Sequence, residues 1–234
     1  MKIGIAVPIY LHGKMRNVAY ERVINHYAKT GYVVHICGSE GYVSRRFADQ
    51  FNQPNVKYVE VPQMAYTTSS KGDANLRHKF NQSLFSLGPM DWYVLVGADD
   101  AAPLSIFDNL KAYDPHQTLM LGVAMGNPTY IHDLPTGEKI NVNVRYYSHE
   151  YKLLPGINIF SLGAMLKSEF KPYQLNGCET GAERYFDACG KVVPLDGYIV
   201  MFKTPQCLNG FEKIKRSHEW KACDESEIQL IDSI

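Results

Sequence analysis

Two adjacent carboxylates close a short apolar run at Asp91-Trp92-Tyr93-Val94-Leu95-Val96-Gly97-Ala98-Asp99-Asp100. A run this dense reads as a strand buried on both faces, and acids at the C-terminal end of such a strand sit where an open α/β sheet presents its ligand crevice. Paired carboxylates there suit a hard divalent cation, magnesium or manganese, or a polar ligand. Adjacent side chains on an extended strand point to opposite faces, so Asp99 and Asp100 bind one ion together only if the chain turns. Ala101-Ala102-Pro103 follows and supplies a turn signal. The competing reading makes Asp100 the N-cap of a helix starting near Leu104. Two further places carry polar residues of chemical interest. Asn176-Gly177-Cys178-Glu179 precedes a helical stretch over Cys178 to Cys189 closed by Gly190, with Glu183 one turn after Glu179. Glu179 is either an acid available for proton transfer or the N3 member of a capping box. His218 lies in the basic run Lys213 to Glu219 and is a candidate third metal ligand, set against the plainer reading of a solvated face.

The elements that would position these residues follow a βα rhythm in the first half. Ile3 to Ile9 reads as a buried strand, Val18 to Thr30 as a helix stopped by Gly31, and Tyr32 to Ile36 as a second strand. A helix at Val43 to Phe51, a strand at Val56 to Val61 and a helix over Ala74 to Leu87 lead to the acid-bearing strand. The rhythm predicts an α/β protein with a mostly parallel central sheet and helices on both faces. In the second half, Leu119 to Ala124 and Val142 to Tyr147 read as strands and Gly126 to Lys139 as a loop.

Composition narrows the class. With 234 residues, 45% of them apolar, one sizeable core is within reach. Lys+Arg and Asp+Glu both number 24, so no global positive field argues for sequence-independent nucleic-acid binding. The five cysteines show no CxxC spacing, which disfavours a disulfide framework and a zinc site. Neither a signal peptide nor a stretch long and apolar enough to span a membrane is read from the sequence, and a cytoplasmic protein is expected.

Several segments resemble the family 2 glycosyltransferases of the GT-A fold. Ile5-Ala6-Val7-Pro8-Ile9-Tyr10 is similar to that family's first strand, which ends in Pro-Thr-Tyr, and Ile36-Cys37-Gly38-Ser39 to its Asp-Asp-Gly-Ser turn. Asn75 to Asn81 resembles the basic, Asn-bearing helix before the metal strand, and Gly97-Ala98-Asp99-Asp100 falls on the Asp-x-Asp-Asp position. Gly163 to Lys167 resembles the acceptor-side strand, and Cys178-Glu179 the family's Glu-Asp pair. The likeness covers roughly residues 3 to 203 and implies a single GT-A-like domain, with a nucleotide-sugar-binding half (1–103) and an acceptor-side half with a C-terminal segment (104–234).

The resemblance further implies transfer of a sugar from a nucleotide-diphospho-sugar to an acceptor hydroxyl, assisted by manganese or magnesium at Asp99 and Asp100. Donor-binding roles fall on Pro8, Tyr10, Ser39, Lys79, Asn81, Asp99 and Lys203. Glu179 becomes the general base, with Glu183 in reserve, and a single base would give inversion. Two departures stand out: Cys37 replaces the acid that contacts the nucleotide base, and Gly97 replaces the first acid of the metal motif. A thiol is only a weak acceptor, so the resemblance does not carry the identity of the nucleotide. The acceptor is left open among a glycan, a small molecule and a modified DNA base. Two other functions fit the same residues: a non-catalytic sugar-nucleotide binder, or a nucleotidyltransferase, although Leu11 to Arg16 holds only one glycine for a phosphate loop.

Overall fold

Ile3, Ile5, Val7 and Ile9 alternate with Gly4, Ala6 and Pro8, and nearly every one of these residues is buried, as a strand covered on both faces requires. In the computed structural model this segment is the centre of the protein. The structure describes residues 1–11, 17–62, 69–117, 119–122, 129–133, 139–146, 157–171, 191–195, 198–203, 220–222 and 224–234. Along these the chain runs β1 (Ile3–Pro8), α1 (Val18–Ala28), β2 (Val33–Ser39), α2 (Tyr42–Ala48), β3 (Val56–Val61), α3 (Ser69–Leu87), β4 (Trp92–Leu95) and β5 (Asp100–Ala101). There follow α4 (Ile106–Asn109), β6 (Leu119–Gly122), β7 (Thr129–Asp133), β8 (Lys139–Tyr146), β9 (Asn158–Ser161), α5 (Leu162–Lys167), β10 (Lys191–Pro194), β11 (Tyr198–Lys203), β12 (Trp220–Ala222) and α6 (Glu225–Asp232).

Seven strands form one sheet in the order β10-β6-β9-β4-β1-β2-β3. All its pairings are parallel except those of β9, which runs antiparallel between β4 and β6. A second sheet, β12-β7-β8-β11-β5, is antiparallel apart from the β12–β7 pair. The expected mostly parallel α/β sheet is therefore present.

Side-chain alternation splits the core of the large sheet in two. Ile3, Ile5, Val7, Val34 and Ile36 pack with Val23, Ile24 and Tyr27 of α1 and Phe47 of α2. On the other face Ala6, Tyr93 and Leu95 pack with Phe80, Leu84 and Leu87 of α3. Full burial of each large apolar side chain contributes roughly 1.5–3 kcal/mol, so both faces are held firmly. α1 starts where Asn17 accepts from the amides of Ala19 and Tyr20, and it ends before Gly31, whose φ of +73° is the left-handed turn expected of a helix-stopping glycine.

Two expectations are corrected, and the competing reading of Asp100 is ruled out. The loop expected over Gly126 to Lys139 contains β7, whose Thr-Tyr-Ile sequence suits a strand once β8 is there to pair with it. Gly163 to Lys167, likened to a strand, belongs to the helix α5, because Ser161 at the end of β9 accepts from the Ala164 amide and caps a helix there. Asp100 is not a helix cap. It lies in β5, and α4 starts after Ser105, which makes no side-chain cap bond. No helix among the described residues is long and apolar enough to cross a membrane.

Candidate functional site

β1, β2 and β4 are neighbouring parallel strands, so the residues that leave their C-terminal ends are brought to one edge of the sheet. Tyr10 follows β1, Ser39 ends β2, and Asp99 lies four residues past β4. That edge is where an open α/β sheet places its ligand crevice.

The end of β1 is fixed from several sides. The Ile9 amide donates to the Cys37 carbonyl at 2.9 Å, continuing the β1–β2 ladder past Pro8. Lys79, only 2% exposed, reaches from α3 to donate from Nζ to the Ile9 carbonyl at 2.6 Å, and its ammonium lies 4.8 Å from the centre of the Tyr10 ring. The Tyr20 hydroxyl of α1 donates to the Tyr10 carbonyl at 3.3 Å. Burial pulls the Lys79 ammonium down to about 8, against a smaller opposing pull from Cys37. Asn81, two residues on, is rotated roughly 200° around the helix and so does not share the direction of Lys79.

At the end of β2 the Cys37 side chain is fully buried, and burial pushes its thiol up to about 11. It is therefore a protonated packing group at neutral pH, unlike the carboxylate of the resemblance. Gly38 admits close neighbours: a Cβ there would lie 2.7 Å from both the Ser44 Cβ and the Tyr58 hydroxyl. The neighbouring strand supplies an acid that sequence reasoning passed over. Glu60, opposite Gly38 in register, accepts from Arg45 Nη2 at 2.7 Å and from the Tyr58 hydroxyl at 3.1 Å. The Arg45 guanidinium holds its carboxyl below the usual range. The sequence signal was the polar content of β3, Lys57, Tyr58 and Glu60, which marks an edge strand as readily as a site.

The acids after β4 are where local geometry matters most. The Asp100 amide donates to the Gly97 carbonyl at 3.0 Å, closing a turn. A Cβ placed on Gly97 would lie 2.5 Å from Asp100 Oδ2 and 3.2 Å from Asp99 Oδ1. Both carboxylates therefore converge on the space a side chain at 97 would occupy. The turn answers the objection that adjacent strand residues point apart, and it explains the glycine: an acid at 97 would collide with Asp100. Asp100 is 8% exposed and Asp99 is half-buried. Two converging carboxylates are hard oxygen donors of the kind magnesium and manganese take, with phosphate and water oxygens left to complete the shell. No cluster of three or more His, Cys, Asp or Glu residues suited to a metal occurs among the described residues.

The backbone of this turn is held on two flanks. From β11, the Phe202 amide donates to the Asp99 carbonyl at 2.7 Å, and Asp100 and Ala101 pair with Met201 and Val200. From α1, His26 Nε2 lies 2.7 Å from the Ala102 carbonyl, which places the ring proton on Nε2, and the Ala102 amide donates to the Tyr27 hydroxyl at 2.9 Å. Burial lowers His26 and raises Tyr27, so both are neutral at pH 7.

Of the expected donor-side residues, Pro8, Tyr10, Ser39, Lys79 and Asp99 gather at the ends of β1, β2 and β4. Lys203 closes β11 on the smaller sheet, opposite Asn141. Glu179, Glu183 and His218 lie outside the described residues.

No protein-family model matches the chain, and no curated protein matches it. Solved structures do. Residues 1–349 of TarS from S. aureus are 17% identical with a TM-score of 0.55, over 85% of this chain and 60% of that one. The same TarS segment in complex with UDP-GlcNAc is 12% identical with a TM-score of 0.51, over 96% of this chain and 60% of that one, and in complex with UDP it is 14% identical with a TM-score of 0.51. This chain thus spans 60% of the length of TarS 1–349. At these identities the likeness is one of fold, and the fold is the expected GT-A-like one, with its mostly parallel sheet and flanking helices.

Proposed function

We propose that the protein is a glycosyltransferase that moves a sugar from a nucleotide-diphospho-sugar to an acceptor hydroxyl. The observation that carries this reading is the convergence of Asp99 and Asp100 over Gly97, beside the strand ends that bear Tyr10 and Ser39. A crevice with paired carboxylates at the edge of such a sheet suits a diphosphate escorted by a divalent cation. The complex of TarS with UDP-GlcNAc makes that donor the first to test, and Cys37 keeps the nucleotide base open.

In this reaction Pro8, Tyr10, Ser39, Lys79 and Lys203 form the donor side, with Lys79 fixing the β1 end through the Ile9 carbonyl. Asp99 and Asp100 hold the cation, with His218 as a third candidate ligand; bound there, manganese or magnesium supplies counter-charge to the departing diphosphate. Glu179 takes the acceptor's proton, or Glu183 in its place, as the acceptor oxygen bonds to the anomeric carbon. The bond from that carbon to the diphosphate oxygen breaks, the nucleoside diphosphate leaves, and the anomeric centre inverts. The acceptor is a glycan, a small molecule or a modified DNA base.

The test is a thermal-shift screen of nucleotide sugars with and without manganese, since a ligand at 100 times its Kd adds about 2.7 kcal/mol of apparent stability. Hits are followed by an assay for released nucleoside diphosphate. Metal-dependent release that disappears in Asp99→Asn supports the proposal. Metal-dependent binding without release favours the non-catalytic binder, pyrophosphate released in a separate incubation with a nucleoside triphosphate and a sugar 1-phosphate favours a nucleotidyltransferase, and no metal-dependent nucleotide binding overturns all three.

A further inference from the structure

The last turn of α1 presents two neighbouring side chains, His26 and Tyr27, to one residue of the segment after Asp100. Ala102 has its carbonyl bound by His26 Nε2 at 2.7 Å and its amide bound by the Tyr27 hydroxyl at 2.9 Å. The same hydroxyl lies 3.5 Å from the Asp100 carbonyl, toward which its own proton points. Tyr27 is fully buried, and its ring is wedged edge-on between His26 and Phe107 at centroid separations of 5.1 and 6.3 Å. A phenol in that setting is not needed for apolar packing, since phenylalanine would fill the same space. What its oxygen adds is a fixed point between the two peptide groups that bracket Ala101.

That position has a mechanical consequence. On the β11 flank the ladder fixes the Asp99 carbonyl and pairs Asp100 and Ala101. Among the described residues, the exit of the turn is bonded from α1. Without the α1 contacts the turn would still pair with β11, but the chain beyond Ala101 would lose its anchors, and with them the torsion that aims Asp100 over Gly97. We infer that Tyr27 is a positioning residue, holding the turn so that the Asp99 and Asp100 carboxylates stay convergent on one cation. The inference rests on the proposed metal-assisted reading of the site.

The experiment measures manganese binding by loss of the free-ion electron paramagnetic resonance signal, with UDP and separately with GDP present, for wild type, Asp99→Asn and Tyr27→Phe. Calorimetry then gives nucleotide affinity without metal. Removing a residue that supports a metal's carboxylate ligands typically weakens the metal by about 10–100-fold. Tyr27→Phe should show a loss of that size in manganese affinity, with metal-free nucleotide affinity unchanged well below its melting temperature. A lowered melting temperature with manganese affinity unchanged would overturn the inference, since a merely structural hydroxyl predicts that outcome. If wild type binds manganese with neither nucleotide, or Asp99→Asn binds it as well as wild type, the metal-assisted reading fails first and takes this inference with it. Should Tyr27→Phe not fold, His26→Leu removes the other half of the clamp and is expected to weaken manganese in the same way; unchanged affinity there would equally overturn it.

Discussion

Replacing Lys79 by methionine separates two opposed contributions at the end of β1. Lys79 is 2% exposed and its ammonium donates to the Ile9 carbonyl at 2.6 Å, so the substitution removes a charge-assisted hydrogen bond whose net value is roughly 1.5–3 kcal/mol. It also removes a buried charge. Lowering the group from 10.5 to about 8 means that at pH 7 the folded protein carries a penalty of about 3 kcal/mol for keeping the ion, at 1.36 kcal/mol per pH unit. The two nearly cancel, and at pH 7 Lys79→Met is expected to fall within about 1.5 kcal/mol of wild type, whereas an unopposed buried anchor would cost 3 kcal/mol or more.

The pH dependence isolates the charge. Because the folded value lies below the unfolded one, the unfolded chain binds more protons between about 8 and 10.5, and wild-type stability rises over that window as the penalty is relieved. Between pH 7 and 10 wild type should gain about 2–3 kcal/mol on the variant. Tyr27 and the half-buried Tyr58, whose values are raised, lose stability as pH climbs, but they do so in both proteins and drop out of the difference; Cys37 is coupled to Lys79 and contributes a smaller part of it. Urea titrations of both proteins at several pH values between these limits give it directly. A difference that stays flat across the range would refute the assignment of a protonated, buried Lys79.

Two further substitutions probe the acids. Gly97→Ala places a methyl group 2.5 Å from Asp100 Oδ2; it should cost about 1–3 kcal/mol by urea titration and abolish manganese-dependent nucleotide binding, since the carboxylate must swing away. Glu179→Gln retains the capping capacity of the side chain but cannot accept a proton, so turnover should drop by about 10²–10⁴-fold while donor binding and melting temperature stay near wild type. A near-normal rate would reduce Glu179 to a helix cap and make Glu183→Gln the variant to assay.

The first hundred residues were legible because their strands are buried on both faces and written as apolar runs, with helices between them marked by periodicity and by Gly31. The edge of the sheet where Tyr10, Ser39 and Asp99 emerge followed from that order alone. Less accessible was whatever depends on a distant partner. β7 sits in a Pro/Gly-bearing stretch and exists through its pairing with β8, and β5 is two residues long and is defined by β11, a hundred residues downstream. The site divides along the same line. Adjacent acids announced a metal or polar ligand, but their convergence depends on the turn at Gly97, and no periodicity encodes a turn of that kind. Lys79 was legible as a basic residue that the resemblance assigned to the donor side, whereas its burial against Ile9 required the packing of α3 on β1 and β2.

The bond from the Phe202 amide to the Asp99 carbonyl bears on the order in which the molecule is made. A chain emerging from the ribosome completes β1 to β4 while β11 is still unsynthesised, so the sheet can form before the acidic turn has half its backbone partners. Closing a loop of that length costs only a few kcal/mol more than closing a short one, but it cannot begin until the distant strand exists. A fragment ending at residue 103, although it contains both acids, lacks the strand that fixes them. The convergence of the two acids therefore belongs to a chain that has reached β11, and a nascent or truncated first half would carry Asp99 and Asp100 without the geometry that the proposed function asks of them.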